Sequence, residues 1–129
     1  MDDTKKVLIV DDDPTILELY MDVLTGAGFK VDNVSNGQSA LEMLKKKEHQ
    51  LVLLDIMMPD MDGIMVLKSI RSDENVYGHP TVVMLTNLAL TDNIKEALDS
   101  GAEGYLIKLS LSNEQLVQQV KNYLHGFSK

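Results

Sequence analysis

Among this chain's 20 acidic and 12 basic residues and its hydroxyls, Asp11, Asp12, Asp55, Thr86 and Lys108 are the five whose placement at the ends of apolar runs could handle phosphate and a hard cation. Three carboxylates brought together repel one another, and without compensation one of them would hold a proton at neutral pH. A hard divalent cation removes that conflict. Magnesium takes a few protein oxygens, keeps several waters and often brings a phosphate with it. An ammonium and a hydroxyl across from it could hold the remaining phosphoryl oxygens. A carboxylate can also attack phosphorus itself and form an acyl phosphate, a transfer that asks mainly for positioning and charge neutralisation. Asp55 taken alone reads equally well as a loop cap. The choice depends on whether the chain's elements carry the five residues to one place.

Asp55 ends an apolar run in Leu51 to Gly63, LVLLDIMMPDMDG. The run is too short for a helix and has no polar face, which suits a strand buried on both sides. Pro59 and the Asp62-Gly63 pair then force a loop. Val7 to Val10 is a second such run, ending on Asp11, Asp12 and Asp13. Asp13 before Pro14 reads as an N-cap, opening a helix whose apolar face is Ile16, Leu17, Tyr20, Met21, Leu24 and Ala27. Gly26 and Gly28 end that helix. Lys30 to Val34 is a short alternating strand, Asn36-Gly37 a turn, and Ala40, Leu41 and Leu44 mark a second helix. Ile64 to Ser72 is a third helix and Asp73 to Pro80 a polar loop. Thr81 to Leu85 is a strand ending on Thr86. Thr91 or Asp92 caps a fourth helix through Ile94, Ala97 and Leu98. Gly104 to Ile107 is a strand ending on Lys108, and Asn113 to Leu124 is a last helix.

Strict strand-helix alternation specifies a parallel sheet covered by helices on both faces. In open sheets of this kind, ligands bind outside the carboxyl ends of the strands. Four of the five strands end there on a polar or charged residue, which gives one rim with three carboxylates, a hydroxyl and an ammonium.

The bulk properties narrow the class. A chain of 129 residues has room for one domain with a sizeable core, and residues 1–129 read as a single domain. A net charge of −8 argues against non-specific nucleic-acid binding, which needs a basic surface. The absence of cysteine excludes a disulfide frame and thiol chemistry. No stretch reads as a signal peptide or a membrane span, so the expected setting is the cytoplasm, with no membrane partner. His49, His79 and His125 lack metal-ligand spacing and read as surface residues, and the eight Met as core filler. Asp60 and Asp62 read as turn residues.

With VLIVDDD, LLDIMMPDMDG, Thr86 after VVML and Lys108 after GYLI, the chain resembles the receiver domains of two-component response regulators over nearly its whole length. The resemblance implies a flavodoxin-like doubly wound sheet of five strands, in the order 2-1-3-4-5, with five helices; a chemotaxis receiver is a known example of that order. It implies that Asp55 accepts a phosphoryl group from the phosphohistidine of a sensor histidine kinase or phosphotransfer domain. It implies magnesium as the cofactor, held by Asp11, Asp12, Asp55 and the Met57 backbone carbonyl. Lys108 would pair with the phosphoryl oxygens, Thr86 would bond one of them in the active state, and Tyr105 would follow as the switch aromatic. A downstream protein would bind through the fourth helix, fifth strand and fifth helix, and a phosphorylation-dependent dimer is a further expectation. Such a domain is a switch, whose only catalysis is its own phosphorylation and dephosphorylation. No output domain follows the last helix, so the sequence reads as a stand-alone receiver or as part of a larger protein.

Two positions depart from the family pattern. Leu109 stands where proline usually follows the Lys. A cis bond to a non-proline residue costs about 2.5–4 kcal/mol, so Lys108–Leu109 is expected to be trans, with the loop beyond it re-routed. Asn87 stands where Ala or Gly usually leaves room for phosphoryl access, and is expected to slow phosphorylation. Met57 and Leu88 are expected to shield an acyl phosphate from water. Two other readings stay open. Asp11-Asp12-Asp13-Pro14-Thr15 also fits the D-x-D-x-T pattern of haloacid-dehalogenase-like phosphatases, with Asp11 as nucleophile and Asp13 as acid/base. Against it, the only acid after Lys108 is Glu114, in a helix, and the chain lacks the usual inserted cap. The third reading is an interaction module whose site has decayed, supported only by Asn87 and Leu109.

Overall fold

The structure, a computed structural model, describes residues 5–87 and 91–125. Its strands are β1 (Lys6–Val10), β2 (Lys30–Val34), β3 (Leu51–Asp55), β4 (Thr81–Thr86) and β5 (Gly104–Ile107). All neighbouring pairs are parallel, and the order is β2-β1-β3-β4-β5. The helices are α1 (Pro14–Gly26), α2 (Gly37–Leu44), α3 (Gly63–Ser72), α4 (Glu74–Tyr77), α5 (Thr91–Asp99) and α6 (Asn113–Leu124).

The unbroken apolar runs of β1 and β3 are explained by a core on each face of the sheet. Leu8, Val10, Val52, Leu54, Val82 and Met84 face one layer, packed with residues of α2, α3 and α5. Val7, Ile9, Leu51, Leu53, Val83 and Leu85 face the other, packed with Ile16, Tyr20 and Leu24 of α1 and Leu116 and Val120 of α6. Every residue of β3 is buried, as its central place requires, whereas the edge strand β2 has no buried residue. Helix starts follow local capping chemistry. Asp13 accepts the Thr15 N–H at 2.9 Å, Asp62 accepts the Met65 N–H at 2.9 Å, and Ser112 and Gln115 form a reciprocal capping box.

Several sequence expectations change. The polar stretch Asp73 to Pro80 contains the one-turn helix α4, started by the Asp73 side chain accepting the Val76 N–H. The expected fourth and fifth helices are therefore α5 and α6. Asn36 is the N-cap of α2 rather than a turn residue, with its side chain on the Ser39 N–H at 2.8 Å. β4, by contrast, ends on Thr86 as expected. His49 is buried, not on the surface, because Asp32 of β2 binds its Nε2 at 2.8 Å and offsets the loss of water. The methionines divide: Met58 and Met84 are core, while Met57 and Met65 are exposed. Leu98 of α5 is exposed although Ile94 and Ala97 turn inward. Leu88 and the side chain of Thr91 lie outside the described residues, and Asp92 stands in the first turn of α5 rather than before it.

Candidate functional site

Register places the site. Val10 pairs with both Val34 and Leu54, Asp55 with Leu85, and Thr86 with Ile107. The residues that end these strands or follow them therefore share one edge. Asp11, Asp55, Thr86 and Lys108 are all buried there, and Asp12 is exposed. Carboxylate oxygens of Asp11, Asp12 and Asp55 all lie within 4.8 Å of one another.

Lys108 closes the group from the β5 side. Its Nζ stands 2.7 Å from Asp11 Oδ2 and 3.1 Å from Asp55 Oδ1. The Lys108 backbone is tied to β4 by donation from its N–H to the Thr86 carbonyl at 2.7 Å. Asp55 Oδ1 also accepts the Met57 N–H at 3.2 Å, and Asp11 Oδ1 accepts the Asp13 N–H at 2.9 Å. One ammonium does not balance these acids. Burial first, and then the Asp11 charge, push the Asp55 pKa up to about 7, against the pull of Lys108 and the Met57 N–H. Burial works against the Lys108 charge, but its contacts with Asp11 and Asp55 prevail and its pKa is raised. An all-oxygen donor set with surplus negative charge is what a hard divalent cation fits.

The remaining predicted residues take distinct places. Tyr105 is on β5 but 41% exposed, clear of the buried carboxylates. Met57 and Asn87 are exposed next to the strand ends. Lys108–Leu109 is trans, as expected, and Leu109 turns the chain with φ +63°. Asp13 caps α1, so its carboxylate is engaged where a phosphatase acid/base would need it free. His79 is exposed and pairs with Glu74.

Two residues have a part in the site that spacing did not reveal. Gly63 donates its N–H to the Ile56 carbonyl at 2.9 Å, and a Cβ there would overlap the Asp55 carbonyl oxygen. The loop after Asp55 can return to start α3 only across a glycine. The Asp62-Gly63 pair signalled a turn, but not this contact. Tyr20, one of the apolar positions of α1, is buried, with Leu109, Lys108 and Asp11 near enough to act on its phenol, whose pKa burial pushes up; nothing in its helical spacing separates it from a core residue.

Comparison with known proteins follows the same outline. Residues 7–121 match the family model of the response regulator receiver domain. The DNA-binding response regulator MtrA of Mycolicibacterium smegmatis is 37% identical over 117 residues, which are 91% of this chain and 49% of that protein. The transcriptional regulatory protein SrrA of Staphylococcus aureus is 34% identical over 121 residues, 94% of this chain and 48% of its own. The chain thus spans about half the length of the curated relatives it matches. Among solved structures, the receiver domain of Francisella response regulator 1452 superimposes with a TM-score of 0.84 at 29% identity, over 97% of this chain and all of that one.

Proposed function

The chain belongs to the response regulator receiver domain family, and from that premise we propose that Asp55 is the phosphoryl acceptor of a magnesium-dependent signalling switch. The observation that carries this is the ion-paired group Asp11–Lys108–Asp55, buried at the carboxyl edge of the sheet with one ammonium for its acids. In the reaction, a carboxylate oxygen of Asp55 attacks the phosphorus of a phosphohistidine. The new O–P bond replaces the P–N bond, and the imidazole leaves, taking a proton. Lys108 and the Met57 N–H both hold Oδ1, so Oδ2 is the attacking oxygen. Burial of Asp55 keeps bulk water from the acyl phosphate.

Asp11, Asp12 and Asp55, with the Met57 carbonyl, are the residues that would hold magnesium. When bound, the cation supplies positive charge that keeps Asp55 ionised and offsets the charge of the transferred group. Lys108 follows the phosphoryl oxygens, and Thr86, buried beside them on β4, bonds one of them in the active state. Tyr105 then moves from its exposed position, altering the α5–β5–α6 face on which Leu98 is also exposed. A downstream partner or a second copy reads that face as a population shift. The phosphoryl donor is a sensor histidine kinase or a phosphotransfer domain, and the setting we assign is the cytoplasm. Among the described residues no helix is long and apolar enough to cross a membrane.

The test is intact mass after treatment with acetyl phosphate and magnesium. Wild type should gain one phosphoryl group, and Asp55→Asn none. An adduct that persists in Asp55→Asn and maps to Asp11 would favour phosphatase-like chemistry instead.

A further inference from the structure

Strand β2 borders the sheet, and among the described residues no strand pairs with its outer side. The Lys30 N–H donates to the Lys5 carbonyl at 3.1 Å, and the Val34 carbonyl accepts the Asp11 N–H at 3.3 Å. Both ends of β2 therefore bond toward β1. In a parallel pair, the backbone groups that face the partner recur at every second residue. Lys30, Asp32 and Val34 turn theirs to β1, and Val31 and Asn33 turn theirs outward. An open strand flank of this kind is a template for another extended chain.

A groove lies on each face of that flank. On one, Leu17, Glu18 and Met21 of α1 meet Asn33 around a cavity of about 380 Å³. On the other, Val34 meets Glu42, Met43 and Lys46 beside α2 around about 420 Å³. Side chains of a strand alternate between faces, so a chain laid along β2 would send them into the two grooves in turn. The grooves differ in chemistry. Helix α1 exposes Glu18 and Asp22 and holds no Lys or Arg. The α2 face has its acids matched, Asp32 by His49 at 2.8 Å and Glu42 by Lys45 at 3.1 Å. It offers half-buried Val34 and Met43, and Lys46 there would repel a further cation. A second copy of β2 suits the flank poorly. Antiparallel pairing would set the acidic α1 helices side by side, on chains of net charge −8 each.

We propose that the outer side of β2 is a docking site for an extended segment of a partner protein in which basic side chains alternate with apolar ones. The segment's backbone pairs with Val31 and Asn33. Its basic side chains lay their stems along Leu17 and Met21 and reach Glu18 with their charged ends. Its apolar side chains rest on Val34 and Met43. Docking there does not require the chemistry at Asp55.

The probe is a capped peptide of alternating Lys and Val, added to the full chain. Hydrogen exchange read by NMR should slow by about tenfold or more at the Val31 and Asn33 amides, and stay unchanged at Asp32, whose amide already faces β1. N-methylation of every second peptide residue blocks one side of the peptide backbone. One of the two methylation registers should lose about tenfold or more in affinity, while the other binds like the unmodified peptide. Asn33→Pro deletes an outward N–H and spares the β1 ladder, since proline is tolerated on the open side of an edge strand; it should weaken binding by a similar factor. A peptide of alternating Glu and Val should not bind. Failure of the Lys-Val peptide to bind would overturn the proposal, as would binding that leaves both amides exchanging at their free rates, ignores both methylation registers or is matched by the Glu-Val peptide. Protection of the two amides in the chain alone, growing with its concentration, would overturn it in favour of a second copy.

Discussion

The two edges of one sheet both gather charge and treat it in opposite ways. At the carboxyl edge, buried Asp11 and Asp55 share one ammonium with exposed Asp12 beside them, and Asp55 is driven up to about 7. At the amino edge, the Arg71 guanidinium finds a partner for each nitrogen. Nε donates to the Gly101 carbonyl at 3.1 Å, Nη1 to the Pro80 carbonyl at 2.9 Å and Nη2 to Glu103 Oε1 at 3.0 Å. That same Glu103 oxygen takes the Val82 N–H at 2.8 Å. A matched cluster has nothing left to offer a ligand; it holds α3 to the starts of β4 and β5. The mismatched cluster keeps an unmet demand for positive charge, and that demand is what a cation and a phosphoryl group satisfy.

Substitutions at the two edges should therefore separate labelling from stability. Lys108→Ala is expected to lower the rate of acetyl-phosphate labelling by about 10²-fold or more, the scale of losing one preorganised charge from a reaction centre. Single-turnover mass spectrometry reads this directly. Arg71→Ala should leave that rate unchanged and cost about 3 kcal/mol of unfolding free energy in urea, because Glu103 and two carbonyls lose a part-buried cation. Loss of labelling in Arg71→Ala would mean that the amino edge is coupled to the site.

The unequal legibility of these regions has a physical basis. Alternation of apolar runs and amphipathic stretches was enough to place five strands, because buried parallel strands allow few polar interruptions. The positions of Asp11, Asp55, Thr86 and Lys108 followed, since each ends or follows a strand and the sheet aligns those ends. Strand order came from the family resemblance, because periodicity carries no information about which strands are neighbours. Contacts between distant positions stayed hidden. His49 looks like any polar loop residue until Asp32 is found beside it, and Gly63 looks like any turn glycine until the Asp55 carbonyl is found where its Cβ would be. Helix α4 leaves no trace in the sequence pattern because one turn is too short to show a period, and its Asp73 cap reads equally well as a turn residue.

The charge surplus also predicts a pH dependence of its own. The Asp55 pKa rises from an ordinary 3.8 to about 7 on folding. Between those values the folded state holds a proton that the unfolded chain releases, so this group's contribution to stability falls as pH rises from about 4 to 7. Without divalent cations, Asp55→Asn should be more stable than wild type at pH 8 by on the order of 2 kcal/mol, and equal to it below about pH 4. Magnesium should reverse the order for wild type. At a hundred times its dissociation constant it would add about 2.7 kcal/mol, and a chelator would remove the gain. Thermal melts across pH, with and without magnesium, check both statements.

The matched edge should show the opposite sign and a smaller effect. His49 binds Asp32 at 2.8 Å, and that contact is the main cause of the lowered Asp32 pKa. A carboxylate depressed on folding stabilises the protein above its unfolded pKa and loses that contribution as pH falls through the folded value. Asp32→Asn should therefore cost stability at pH 7, and the gap should close on acidification. The Asp32 side chain is 39% exposed, so solvent screens the pair and the expected cost is only about 0.5–1 kcal/mol. Urea titrations of the two proteins at pH 7 and pH 3 measure it. A gap that widens toward low pH would show that the amino edge, too, carries a charge conflict, and would remove the distinction drawn between the two edges.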